Sequence, residues 1–119
     1  MKQKTWEKHI KEACKKAGTY RDFFDHTIST LAAILEKRDE AQEQYEEMGS
    51  LPVIEYTNKG GATNVVKNPA LAVWDDLNKS ALAYWRDLGL TPAGLKKIDD
   101  AVMKKKKTGL ADVLKDLGG

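Results

Sequence analysis

The segment from Lys67 to Ile98, KNPALAVWDDLNKSALAYWRDLGLTPAGLKKI, contains the start and stop signals of two consecutive helices. Asn68 can cap the first helix, and Pro69 occupies its first position, where a missing N–H removes nothing that the helix needs. Gly89 follows as a left-handed C-terminal cap would, and Thr91-Pro92 opens the next helix. Between these signals, apolar residues recur at helical spacing: Leu71, Trp74, Leu77, Ala81, Trp85 and Leu88. The segment therefore predicts a helix, a short turn and a second helix.

Two further helices and a hairpin are predicted upstream. Residues 1–18 contain a basic helix that Gly18 ends, and residues 20–48 form a long helix for which Thr19 is a candidate cap. The apolar stripe of the long helix consists of Phe24, Ile28, Leu31 and Leu35. Residues 51–66 place β-branched and aromatic residues around the turn signal Asn58-Lys59-Gly60-Gly61. We expect a small β-hairpin or extended loop there, leaning on the helices because a lone hairpin is marginal in water.

Residues 69–98 form the helix-turn-helix-like segment, and residues 99–119 form a C-terminal extension. Gly94 should weaken the start of the last helix by up to ~1 kcal/mol. We expect Thr108-Gly109 to interrupt this helix and a short final helix to follow. The predicted fold is a single, mainly α domain of residues 1–119. Its long helices, 20–48 and 69–88, pack antiparallel with the hairpin between them, and short helices lie at both ends.

Charge is strongly segregated, although the net charge of the 119 residues is only +2. Residues 1–21 contain seven basic and two acidic residues, residues 36–47 two basic and six acidic, and residues 96–107 six basic and two acidic. Two basic ends therefore flank an acidic middle. This arrangement can serve a polyanion or orient neighbouring subunits.

The residue types that carry catalysis or bind metals are sparse. Cys14 is the only cysteine, and His9 and His26 do not combine with it at a spacing typical of zinc ligands. Lys59-Gly60-Gly61 lacks the G-K-[ST] sequence and the following helix of a phosphate-binding loop. We therefore predict no enzyme activity, no metal and no cofactor. The sequence also has no apolar run long enough for a membrane span and no signal-peptide core, so we expect a cytoplasmic protein without membrane contact.

Basic residues are the candidates for DNA contact. Along the first helix, lysines are spaced by four, three and four residues, and Arg21 follows close to the end of this stripe. A cationic stripe can track phosphates with little sequence preference, but an ordinary solubilising face has the same pattern. A second basic run covers every face of the last helix. The candidate DNA-binding residues are Lys4, Lys8, Lys11, Lys15, Arg21, Lys104, Lys105, Lys106 and Lys107.

Aromatic residues and the outline of residues 84–98 allow weaker interpretations. Trp74, Tyr84 and Trp85 favour core packing over a base-stacking platform, since duplex DNA offers no free bases. The helix, turn and helix of residues 84–98 match a helix-turn-helix outline, but few of their side chains suit base reading.

The second half of the long helix has few apolar residues to bury. We expect it to face a neighbouring subunit through Arg38, Ala41, Tyr45 and Met48. The alternative is a solvated helix held by Glu–Lys pairs.

The order N-P-A-L, a Trp-containing helix and L-G-L-T-P-A-G-L in residues 67–98 resembles the small terminase subunit of tailed bacteriophages. A looser similarity extends back to about Tyr20, whereas residues 1–18 and those after Asp99 lie outside it. The resemblance implies a non-enzymatic, mostly helical protein that forms rings or other homo-oligomers. It also implies binding of double-stranded viral DNA and of a large subunit that carries the ATPase and nuclease, in the cytoplasm of an infected or lysogenic bacterium. The rival interpretation is a helical oligomeric adaptor that binds a protein partner without nucleic-acid contact.

Overall fold

The computed structural model describes residues 1–118, and the chain is 73% helical. Helix α1 spans Gln3–Ala17, and a 3-10 turn at Asp22–Phe24 leads into α2, Asp25–Glu47. Strands β1, Val53–Thr57, and β2, Thr63–Lys67, form an antiparallel pair. Helices α3, Pro69–Asp87, and α4, Pro92–Gly118, complete the fold. The predicted fold class, mainly α with a small hairpin between two long helices, is confirmed.

Local signals explain where α3 begins and ends. The Asn68 side chain accepts a hydrogen bond from the Ala70 N–H at 3.0 Å, and its amide donates to the Leu51 carbonyl at 2.9 Å. Gly89 adopts a φ of 72°, the left-handed conformation that glycine tolerates best. Thr91 Oγ1 accepts from the Gly94 N–H at 3.0 Å and so caps α4. These three predicted boundaries are confirmed.

The core lies between α1, α2 and α3. Its fully buried side chains include Ile10 and Cys14 from α1 and Leu31 and Leu35 from α2. Trp85 and Tyr84 pack against this cluster from α3, which confirms their predicted core role. Burying large apolar side chains contributes about 1.5–3 kcal/mol each, so this cluster dominates the stability of the protomer.

Helices α2 and α3 run antiparallel, as predicted. Near the middle of α2, the Arg38 guanidinium lies 5.8 Å from the ring centroid of Trp74 and donates to Asn78 Oδ1 at 3.0 Å. Ala41, one turn later, is buried. The second half of α2 therefore packs against its own α3 more than its polar sequence predicts. The Arg38 guanidinium over the Trp74 indole takes the place of a contact between two apolar side chains.

The first residues of α2 differ from the prediction. Thr19 does not cap this helix, which begins at Asp25 after the 3-10 turn. Its buried hydroxyl instead donates to the Leu88 carbonyl at 2.8 Å and joins the end of α1 to the end of α3. The bond satisfies a carbonyl that the end of α3 would otherwise leave without a partner.

The hairpin is formed as predicted but does not lean on the helices. Asn58 Oδ1 accepts from the N–H groups of Gly60 and Ala62, which stabilises the predicted turn. Of the strand residues, only Ile54 and Val66 are even half-buried. The other strand residues are exposed, so the hairpin projects away from the helices.

Helix α4 is continuous, and the expected interruption at Thr108-Gly109 is wrong. A mid-helix glycine costs only about 1 kcal/mol, too little to divide a helix with favourable neighbours on both sides. Gly94 has a different role from the one expected: a Cβ there would lie 2.1 Å from the Arg86 carbonyl oxygen. Its missing side chain lets α4 cross closely over the end of α3.

The protomer is elongated, with extents of 84 × 28 × 20 Å. Its radius of gyration is 22.0 Å, whereas a compact chain of this length has about 13.5 Å. Its accessible surface is 8764 Å², about 2,300 Å² more than is expected for a compact monomer of the same mass. No helix within residues 1–118 is long and apolar enough to cross a membrane.

Candidate nucleic-acid interface

Helix α1 aligns the predicted lysines on a side that flanks the face it buries against the core. Ile10 and Cys14 are fully buried against α2, so the lysines at their three- and four-residue spacing face outward. Lys4, Lys8 and Lys15 are exposed, and Lys11 is half-buried. We call these four lysines the α1 ridge.

Tyr20 orders the second half of the ridge. The chain reverses at Gly18, whose φ is 74°, and this places the Tyr20 ring beneath the last turns of α1. The Nζ atoms of Lys11 and Lys15 lie 5.1 and 5.5 Å from the ring centroid. The Tyr20 hydroxyl donates to Asp25 Oδ1 at 2.8 Å, which holds the ring in place. Two of the four ridge cations are therefore positioned before any ligand arrives.

These contacts also affect protonation. The Tyr20 hydroxyl, followed by the Asp25 carboxylate, raises the pKa of Lys11 above its ordinary value. The hydrogen bond to Asp25 is the main cause that raises the pKa of the Tyr20 hydroxyl. Spacing along α1 predicted the ridge but not Tyr20 or Asp25, because the chain reversal that brings them under the helix follows from the conformation of Gly18.

Acidic side chains limit where a polyanion can lie. Glu7 and Asp25 share an open cleft between α1 and α2 with Lys4, Lys8 and Lys11. Gln3 Nε2 donates to Glu7 Oε1 and to the Ser29 carbonyl, both at 3.3 Å. Carboxylates repel phosphates, so the cleft is less favourable to a polyanion than the exposed side of the ridge.

The other predicted cations lie at and beyond the end of the ridge. Arg21 is exposed, and its Nη1 donates to the Tyr20 carbonyl at 2.7 Å. Arg21 and Val102 line the same shallow cavity. The basic run of α4 begins at Lys104, two residues after Val102, so it starts close to Arg21. Lys104, Lys105, Lys106 and Lys107 are all exposed.

Comparison with known proteins agrees with this architecture. The family model for the phage terminase small subunit matches residues 3–105. The chain belongs to this family. No curated protein and no solved structure matches the chain. The match includes α1, which the sequence resemblance had left out, and ends within the basic run of α4.

The residues expected at a subunit interface have partly different surroundings in the folded chain. Ala41 is covered by its own α3, Arg38 is half-buried on Trp74, and the Tyr45 hydroxyl donates to the Ser50 carbonyl at 2.8 Å. Met48 remains exposed. The interface at these four residues stays a prediction, with Met48 the member that offers the most open surface.

Apolar surface that the sequence interpretation did not assign to an interface lies elsewhere in this family member. Val73 on α3 and the leucines of the second half of α4 are exposed. Their helical spacing was visible, but the sequence does not reveal that no part of the same chain covers them.

Side chains suited to metal binding are scattered over the described part of the chain. Within residues 1–118, no cluster of three or more His, Cys, Asp or Glu side chains is placed to hold a metal ion. Burial raises the pKa of the Cys14 thiol, which makes it a poor nucleophile.

Proposed function

We propose that the protein is a non-catalytic, oligomeric DNA-binding subunit of a phage packaging terminase. In this proposal, copies assemble into a ring, bind double-stranded viral DNA and help the large terminase subunit start genome packaging in the cytoplasm of the bacterial host. Family membership supports the general role in packaging. Self-assembly, DNA contact and the large subunit as partner are the parts that we propose.

The single observation that supports self-assembly is the large accessible surface that the elongated protomer leaves uncovered. The excess of about 2,300 Å² over a compact monomer compares with the roughly 800 Å² that each partner buries in a standard interface. A protomer in a ring has two neighbours and therefore two such interfaces. Its exposed large hydrophobic residues are concentrated on the hairpin and α4.

Light scattering on a size-exclusion column tests the assembly. We expect a single species of several protomers at micromolar concentration. A monomer of 13.3 kDa under these conditions would contradict the ring.

DNA contact is supported by the α1 ridge, whose exposed cations Lys4 and Lys8 have no carboxylate partner among the ion pairs of residues 1–118. Each phosphate contact that is lost lowers the slope of log K against log salt by about 0.9. We expect Lys4→Glu/Lys8→Glu to weaken binding about tenfold or more on every duplex tested and to reduce the slope by about 2.

The matched control is Lys59→Glu/Lys79→Glu, which changes the net charge equally at exposed positions on the hairpin and α3. Binding can be measured by gel shift on phage-end DNA with a competing nonspecific duplex. Equal losses in both variants would indicate a general charge effect and would remove the ridge from the proposal.

The rival function, a protein-binding adaptor, is favoured by one feature. Glu7 and Asp25 lie beside the ridge, and the second half of α2 is acidic. An assembled protein that gives no gel shift at low salt would support the adaptor over the DNA-binding subunit.

A further inference from the structure

The second half of α4 is an amphipathic helix that packs against no other element within residues 1–118. Leu110, Val113, Leu114 and Leu117 are between 54% and 79% exposed. Their spacing of three, one and three residues places them on one side of the helix. Continued towards the N-terminus, the same spacing reaches Lys107, Lys106 and Met103. We call this side, from Met103 to Leu117, the α4 stripe. An isolated helix of this length is marginal in water, so the stripe needs a surface on which to pack.

A complementary surface lies between α2 and α3. A shallow groove there is lined by Lys37, Glu40, Ala41, Gln44, Val73 and Leu77. Val73 is 50% exposed, so the floor of the groove is partly apolar and open. We call this surface the α2–α3 groove.

The rim of the groove is acidic. Glu40 lines the groove beside Lys37, and Glu47 on α2 and Asp76 on α3 lie one helical turn from its lining residues Gln44 and Val73. These three carboxylates are exposed, and none of them takes part in the ion pairs formed among residues 1–118. These carboxylates are opposite in charge to the two lysines of the α4 stripe. Side chains of the two surfaces therefore complement each other both in polarity and in charge.

Pairing of one α4 stripe with another is less favourable. In a parallel, in-register pair, Lys106 and Lys107 of both copies would lie side by side, and like charges at a helix interface repel. The acidic groove offers the stripe the opposite charge. The groove of the same chain is open while its own α4 extends into solvent, so the occupant is another copy.

We propose that the α4 stripe of one protomer docks into the α2–α3 groove of the next, with Leu110, Leu114 and Leu117 on Val73 and Leu77, and with Lys106 and Lys107 against the acidic rim. The inference rests on the proposed oligomer and assigns its contact surfaces. A contact between two different surfaces of identical chains is head-to-tail, and such contacts close into rings when the rotation permits. Lys104 and Lys105 point away from the stripe and stay available to DNA.

Disulfide trapping tests the contact. Val73→Cys is combined in one chain with Leu110→Cys, Leu114→Cys or Leu117→Cys in turn and oxidised mildly. We expect at least one pair to give a ladder of covalent dimers, trimers and larger species. The buried Cys14 is fully shielded, so the wild-type chain supplies the baseline. The matched control replaces Val73→Cys by Leu82→Cys, which is on the same helix and 45% exposed but does not line the groove.

Two trapping results would overturn the proposal. One is the absence of a ladder from all three pairs in a protein that light scattering shows to be assembled. The other is efficient dimer formation by Leu114→Cys alone, which would show that α4 stripes pair with each other.

Charge exchange provides a second test. Lys106→Glu/Lys107→Glu and Glu40→Lys/Glu47→Lys should each raise the dissociation constant of the assembly about tenfold or more, equivalent to about 1.4 kcal/mol per contact. A mixture of the two variants restores opposite charges at every contact and should reassemble. Lys104→Glu/Lys105→Glu, with the same change in net charge, should assemble like the wild type.

The outcomes separate this inference from the proposed function. If the wild type is a monomer, both fail. If all charge variants assemble equally, the ring stands and the docking contact is wrong. If Lys106→Glu/Lys107→Glu weakens DNA binding while assembly is unchanged, these lysines serve DNA and the docking contact is again wrong.

Discussion

The two ends of this protomer use their apolar residues in opposite ways. Around Leu31 and Leu35, the first three helices bury one continuous apolar cluster, whereas beyond Val102 the large apolar side chains of α4 are exposed. The exposed hairpin belongs to the second kind of region. The same helical periodicity therefore builds a self-contained core in one region and an unsatisfied surface in another. What differs is whether the chain returns to cover the apolar side.

The largest expected effect comes from a substitution in the buried core of α1, α2 and α3. Leu31→Ala removes a fully buried side chain and should lower the free energy of unfolding by about 2–5 kcal/mol. Leu117→Ala, at the most exposed of the large apolar positions of α4, should change protomer stability by less than about 0.5 kcal/mol. Urea unfolding at one fixed protein concentration measures both. Similar losses in the two variants would mean that α4 is part of the cooperative core.

A pair of glycines in α4 sharpens the comparison. Gly94→Ala forces a methyl group against the Arg86 carbonyl and should cost about 1–3 kcal/mol through displaced backbone. Gly109→Ala meets nothing within 4 Å and should stabilise the helix by about 0.4–1 kcal/mol. Thermal unfolding of the two variants should therefore shift in opposite directions. If the melting temperatures of both variants shift in the same direction, α3 and α4 can move apart at Gly94 to accept the added methyl group.

The smallest expected effect is a pH dependence at the α1 ridge. The pKa values of Tyr20 and Lys11 are raised in the folded state, so their contribution to stability is fully present below their unfolded pKa values and is lost as pH rises through the folded ones. Tyr20→Phe should lower the melting temperature near neutral pH, and the difference from the wild type should shrink as the pH rises above about 10. A difference that does not vary with pH would assign the loss to packing rather than to the hydroxyl.

Much of the fold could be predicted because its boundaries are set by neighbouring residues. Asn68-Pro69, Gly89, Thr91 and the Asn58 turn each act within a few positions, and the structure places each where the sequence predicts it. The features that could not be predicted depend on residues far apart in the chain. Gly94 is needed because Arg86 lies directly against it, and Thr19 finds its partner at Leu88.

The site shows the same division. Spacing alone placed the four lysines of the ridge on one side of α1. It did not reveal that Tyr20 lies under two of them, nor that Glu7 and Asp25 restrict the adjoining cleft. Because the apolar stripe of α2 ends at Leu35, the sequence predicts that Ala41 faces a neighbouring subunit. Only the antiparallel packing of α3 on α2 shows that the same chain covers Ala41. A contact made by a long cationic side chain, such as that of Arg38 with Trp74, leaves no periodic pattern of apolar residues in the sequence.

The tight crossing at Gly94 has a mechanical consequence for any assembly that uses α4. The helix extends about 40 Å from its base, so a tilt of about 10° at that base moves its tip by about 7 Å. Seven ångströms exceeds one helical turn, enough to shift which neighbour-facing positions meet. In the ring that we propose, the contact around Gly94 would thus set the angle between successive copies and, with it, the number of copies that close a circle.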